Sequence, residues 1–241
     1  MKMHSVEDLL KEYEGEVDVA VCSFYTWKHI GKLAVRDRDI WEALNANAST
    51  WNIIKYSLVT TIFTTIGRIF DQDGRSLTAR SFVEQCKNNA DQFSKTALET
   101  RKRRNGLQPD DLDNYLKDVY EPTQSDFEAL IKDIDKYEKI YRDKYQPVRH
   151  KIMAHKDIAT IGSKDALLAR TNIREVESLL KCLHGVGKVV DQWYFNGQRT
   201  CLVDHTLTEG DFVQMDLENL LRKLVDRNGR PLRITGLEGS L

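Results

Sequence analysis

Arg149, His150 and His155 form the one close grouping in this 241-residue chain whose residue types suit chemistry on a phosphate. A guanidinium carries a permanent positive charge and a planar fork of donors that matches phosphate oxygens. An imidazole exchanges protons near neutral pH, because its unperturbed pKa is about 6.5. If the stretch after Pro147 is helical, His155 lies about 120° round and ~9 Å along from Arg149, and His150 about 100° round on the other flank. Side chains so placed are too far apart to bond at their roots, yet their arms can grip opposite sides of one phosphate-sized group. A second copy of the helix would complete the grip.

Spacing alone leaves a plainer reading open. An arginine near a helix end also pairs with a carboxylate from another helix, and a histidine on such a face also serves as a satisfied core residue. The helical setting follows from Pro147, which is tolerated in a first turn and disfavours helical geometry in the residue before it, so a helix restarts or kinks here. On that helix Ile152 and Met153 flank Arg149 in projection, an unusual place for a surface guanidinium.

The string Arg149-His150-Lys151-Ile152-Met153-Ala154-His155-Lys156-Asp157 resembles the Arg-polar-spacer-His signature of the HEPN superfamily, in the form found in abortive-infection proteins of the U type. Gly67-Arg68-Ile69-Phe70-Asp71 is similar to the Arg-hydrophobic-x-Asp that closes an early long helix in those proteins. The resemblance covers about residues 1–195. It implies a metal-independent endoribonuclease, often a growth-inhibiting toxin or antiphage effector, with two motifs meeting across a homodimer and with a regulatory or antitoxin partner.

The residue chemistry fits that implication: a histidine takes the proton from a ribose 2′-OH, and an arginine holds the charge gathering on the attacked phosphate. His155 is therefore assigned the acid/base role and Arg149 the phosphate. His150 departs from the commoner Asn or Asp at its place and is the third candidate. Lys151 and Lys156 are candidates for local contact with RNA, and Arg68, Asp71 and Asp157 for supporting roles.

Net charge is −1, so no overall basic field draws the chain onto nucleic acid and any RNA contact must be local. Four cysteines and six histidines show no C-x-x-C, H-x-x-x-H or H-E-x-x-H spacing, so neither a metal site nor a cofactor is expected, and the setting expected is reduced and cytoplasmic. The N-terminal residues lack the apolar run of a signal peptide. The more apolar of the two longest uncharged stretches, Tyr56 to Gly67, falls short of the ~20 apolar residues of a membrane span.

Helical periodicity runs through the chain. A first helix starts after Ser5 and fades between Gly31 and Arg36. A second opens at Asp39 and Glu42 and continues unbroken to Ile69, taking the β-branched run Leu58 to Ile66 as buried helix. Arg80 to Phe93 and Ser94 to Arg104 follow, the latter ending in Arg101-Lys102-Arg103-Arg104. That tetrad reads first as cations over a helix C-terminus and second as a phosphate patch. Ser125 and Glu128 open the helix that leads into the motif, and Asn172 with Glu175 opens another that ends near Gly197. The expected fold is all-α: an antiparallel up-and-down bundle over residues 1–195, with a short mixed extension over 196–241 that comprises a short extended piece at Gln198 to His205, a helix from Thr208, and final residues that are either loose or form a strand through Leu232 to Ile234. Phe24, Trp41, Trp51, Ile62, Leu130, Ile134, Leu180 and Leu183 are its expected core.

Overall fold

Ser5 accepts a hydrogen bond from the Asp8 amide at 3.1 Å, and from that cap α1 runs over Val6–Arg36. The computed structural model describes residues 4–71, 76–106, 109–150, 171–204 and 209–225. After α1 come α2 (Arg38–Ala46), α3 (Ala48–Phe70), α4 (Ala79–Asn88), α5 (Lys95–Arg104), α6 (Pro109–Tyr115), α7 (Gln124–Ile140), α8 (Ile173–Asp191) and α9 (Glu209–Arg222). No strand occurs among the described residues, and the fold is the all-α bundle class expected. The extended piece expected at Leu232 to Ile234 lies outside the described residues.

Two compact units divide the chain, one comprising Met1–Ala20 with Phe63–Leu207 and the other Val21–Ile62 with Thr208–Leu241. In the first, α4 packs along α7 and α8 lies against both. Its core holds Phe82, Phe93, Phe127, Leu130, Ile134, Leu180 and Leu183, all buried. The Tyr13 hydroxyl donates to the Leu183 carbonyl at 3.0 Å, and Lys188 Nζ reaches Glu14 Oε1 at 3.1 Å. Gly187 permits this approach of α1 to α8, since a Cβ there would stand 3.2 Å from Glu14 Cγ. The adjacent Gly185 faces Leu202 in the same way, so this glycine pair serves helix packing rather than a phosphate loop.

In the second unit, Ile30, Leu33, Ile40, Leu44, Leu217 and Leu221 form the core, with Trp51 and Leu58 partly buried against it. Arg222 Nη1 pairs with Asp37 at 3.2 Å. One long helix over residues 39–69 is not what forms here. Asp37, not Asp39, is the cap, accepting from the amides of Asp39 (3.0 Å) and Ile40 (3.2 Å), and the helix closes at Asn47 before α3 begins. That break resets the helical phase. Ile40, Ala43 and Leu44 turn inward on α2, and Trp41, which an unbroken period would bury, is 52% exposed.

Leu58 to Ile66 is helical, as expected, within α3. By length and composition alone α3 is the one described helix able to cross a membrane, longer than the uncharged run suggests because it includes Lys55 and Arg68. Its full burial is confined to the C-terminal part, where Ile62, Thr65, Ile66, Ile69 and Phe70 are buried, while Ile53 and Tyr56 are exposed. The cap of α7 is Thr123 with Asp126 rather than Ser125 with Glu128, a capping box two residues earlier than the sequence suggests.

Candidate active site

Helix α7 runs without a break into a π turn over Tyr141–Tyr145, closed by the Gln146 amide on the Tyr141 carbonyl, and then into Gln146–Val148. Pro147 supplies the physical cause. In a regular helix its ring collides with the carbonyl four residues back and its missing N–H leaves that carbonyl unpaired, whereas a widened turn admits one more residue and relieves both. The insertion has a geometric result. Arg149, eight residues after Tyr141, falls about where a seventh residue stands in an α-helix, on the face of Tyr141 itself.

Arg149 Nη1 donates to Tyr141 Oη at 3.3 Å and to Asp71 Oδ2 at 3.4 Å. Tyr141 is buried and stacks on Phe70 with ring centroids 5.6 Å apart, so its hydroxyl is held by the core. Asp71 follows directly on the last residue of α3, and the arm of Arg149 lies across Gly67 one turn earlier in that helix. Among the described residues every hydrogen bond of this guanidinium leaves from Nη1. Burial pulls the Arg149 pKa down, but Tyr141 and Asp71 outweigh it and leave the guanidinium above its ordinary value. Burial in turn raises the Tyr141 phenol, with Arg149 opposing. The result is a permanent cation anchored to Tyr141 and Asp71 and only 18% exposed.

A second tie fixes the segment that carries Arg149. The Tyr145 hydroxyl accepts from the Asn172 amide at 3.2 Å and donates to Glu175 Oε2 at 2.9 Å, while Lys144 pairs with the same carboxylate. Asn172 also caps α8 by accepting from the Arg174 amide at 2.8 Å. The residues on either side of the motif's entry are thus anchored to α3 and to the start of α8.

The structure brings together two of the sequence candidates, Arg149 and Asp71. His150 is exposed. Arg68 is not joined to them: it turns to Glu16 at 2.7 Å and is 60% exposed. Lys151, His155, Lys156 and Asp157 lie outside the described residues. The basic tetrad is occupied within the fold. Arg101 donates to the carbonyls of Gln92 (2.7 Å) and Tyr194 (2.6 Å) and stands over the Tyr194 ring, Lys102 lies over Tyr115, Arg103 pairs with Glu99 and Arg104 with Glu7.

The HEPN family model of AbiU2 matches residues 3–211, the greater part of the chain and all of the elements that hold Arg149. The chain belongs to the AbiU2 HEPN family. No curated protein and no solved structure matches it. Within this AbiU2-type fold, three residues carry more of the site than their sequence signal suggests. In the sequence Tyr141 has the place of an inner-face aromatic, and an α-helical period would separate it from Arg149 by about 80°. Tyr145 gave no signal beyond its apolar ring. Gly67 stood inside a quoted motif, and a glycine in a long β-branched helix was the signal available for it.

Proposed function

We propose that this AbiU2-family protein is a metal-independent endoribonuclease acting as an abortive-infection effector. The observation that carries the reading is the anchored Arg149 guanidinium. A cation fixed before substrate arrives needs little reorganisation to stabilise charge on a phosphorane, which is the condition under which such a group lowers a barrier. In the mechanism, His155 removes the proton from a ribose 2′-OH, the oxygen attacks the adjacent phosphorus, and Arg149 stabilises the equatorial oxygens. The 5′-oxygen leaves with a proton and the other product ends in a 2′,3′-cyclic phosphate. His150, Lys151 and Lys156 contact RNA nearby, and a second copy of the chain supplies the opposing motif.

Purified protein incubated with RNA, with and without chelator, tests this. Cleavage that survives chelator, yields cyclic-phosphate ends and spares DNA of the same sequence is the expected result, because DNA lacks the attacking hydroxyl. His155→Ala and Arg149→Ala should each reduce the rate by about two orders of magnitude or more. Light scattering should give about twice the 27.9 kDa chain mass. A second reading, a non-catalytic binding or scaffold module, draws on the Arg149–Asp71 pair itself, since an arginine bonded within its own chain also serves architecture. RNA left intact by wild-type protein would favour it.

A further inference from the structure

We propose that Gly67 is a positioning residue for Arg149: its missing side chain is the slot in which the arginine arm lies. A Cβ built on Gly67 would stand 2.6 Å from Arg149 Nη1, 2.8 Å from Nε and closer still to Cδ. No real Cβ sits at such distances from another heavy atom, so any other residue at 67 displaces the guanidinium from Tyr141 and Asp71. The three heavy atoms nearest that Cβ all belong to the flexible Arg149 side chain, which is the group that must give way. The substitution therefore acts on where the arginine points rather than on whether the chain folds.

Helix propensity sharpens the case. Glycine inside a helix is less favourable than alanine, and Gly67 is the only glycine in α3. Gly15, in α1, gives the contrast: a Cβ there meets nothing within 4 Å. An alanine at that position should simply strengthen its helix.

The inference rests on the ribonuclease reading for its consequence in activity but not for its geometry, and the test separates the two. Gly67→Ala, Arg149→Ala, the double variant and the control Gly15→Ala are assayed for RNA cleavage and for thermal unfolding. Misplacing a charge by about 1 Å costs up to ~100-fold in rate, so Gly67→Ala should lose about tenfold or more, the double variant should be no slower than Arg149→Ala, and Gly15→Ala should match wild type.

In unfolding, Gly67→Ala in the Arg149→Ala background should raise the melting temperature by about 2–4 °C, as relief of a helical glycine should in a chain of this size. In the wild-type background the gain should vanish or reverse, because bonds to Tyr141 and Asp71 are lost with it. Equal shifts in both backgrounds, full cleavage by Gly67→Ala, or a Gly67→Ala chain that fails to fold in both backgrounds would each overturn the proposal. Wild-type protein that leaves RNA intact overturns the ribonuclease reading, and the unfolding cycle then still decides the role of Gly67.

Discussion

Arg149 Nη1 stands 3.4 Å from Asp71 Oδ2 across 78 residues of sequence, and so joins the two motif fragments of the chain. The contact is long and single-pronged, and the carboxylate side chain is 37% exposed. Those features mark an orienting contact more than a stabilising one, since partly solvated ion pairs contribute little.

Asp71→Ala should accordingly cost less than about 1 kcal/mol of stability while lowering RNA cleavage. Urea unfolding beside a cleavage assay checks both. A loss of about 3–5 kcal/mol, the cost of breaking a fully buried pair, would instead assign the contact to architecture.

Leu183→Ala, at a fully buried position of α8, should destabilise by about 2–5 kcal/mol. Trp41→Ala should cost no more than about 1–3 kcal/mol despite removing a far larger side chain, because about half of that residue is in solvent. Chemical denaturation of the two variants reads the difference directly.

Tyr145→Phe keeps the buried ring and removes the hydroxyl that joins the motif's approach to Asn172 and Glu175. A loss of roughly 0.5–1.5 kcal/mol is expected, with faster amide exchange at Asn172. Unchanged exchange there would show that the tie is dispensable.

Two glutamates should give stability opposite slopes with pH. Lys144 first, against burial, and then Tyr145 hold Glu175 below the ordinary glutamate value. Its contribution is therefore present above about pH 4.3 and is lost as pH falls through the depressed value. Burial raises Glu14, with Lys188 opposing and Asp191 and Asp18 adding to the rise. Its contribution is present below about pH 4.3 and is lost as pH climbs through the raised value. Unfolding midpoints against pH should lose the acid-side fall in Glu175→Gln and the rise-side fall in Glu14→Gln.

Where each side chain answers to its own neighbours in sequence, the chain could be read directly. The capped starts at Ser5 and Asn172, the buried period of α8, the close at Gly197 and the place of the Arg101 tetrad over a helix end follow from local pattern, whereas the tetrad's partners Tyr194 and Glu7 are distant in sequence. Reading failed where one residue shifts the phase of all that follow. Asn47 ends α2 and α3 starts a new phase, so the buried period of α3 does not extend back to Trp41, which lies at the surface. The widened turn before Pro147 did the reverse, placing Arg149 on the face of Tyr141 when a regular helix sets them about 80° apart. Arg149 and Asp71 were both named from motif alone, but their meeting, and the slot at Gly67 that makes room for it, needed three dimensions.

The bond from Tyr13 to the Leu183 carbonyl spans 170 residues and has a consequence for the chain as it is made. Ribosomes add roughly 5–20 residues per second, so α1 emerges on the order of ten to thirty seconds before its partner on α8 exists. Throughout that interval Tyr13 and Glu14 lack their native partners on α8. Helix α1 therefore cannot complete its docking on α8 until the intervening residues have been synthesised, which gives a chaperone a long hold on it.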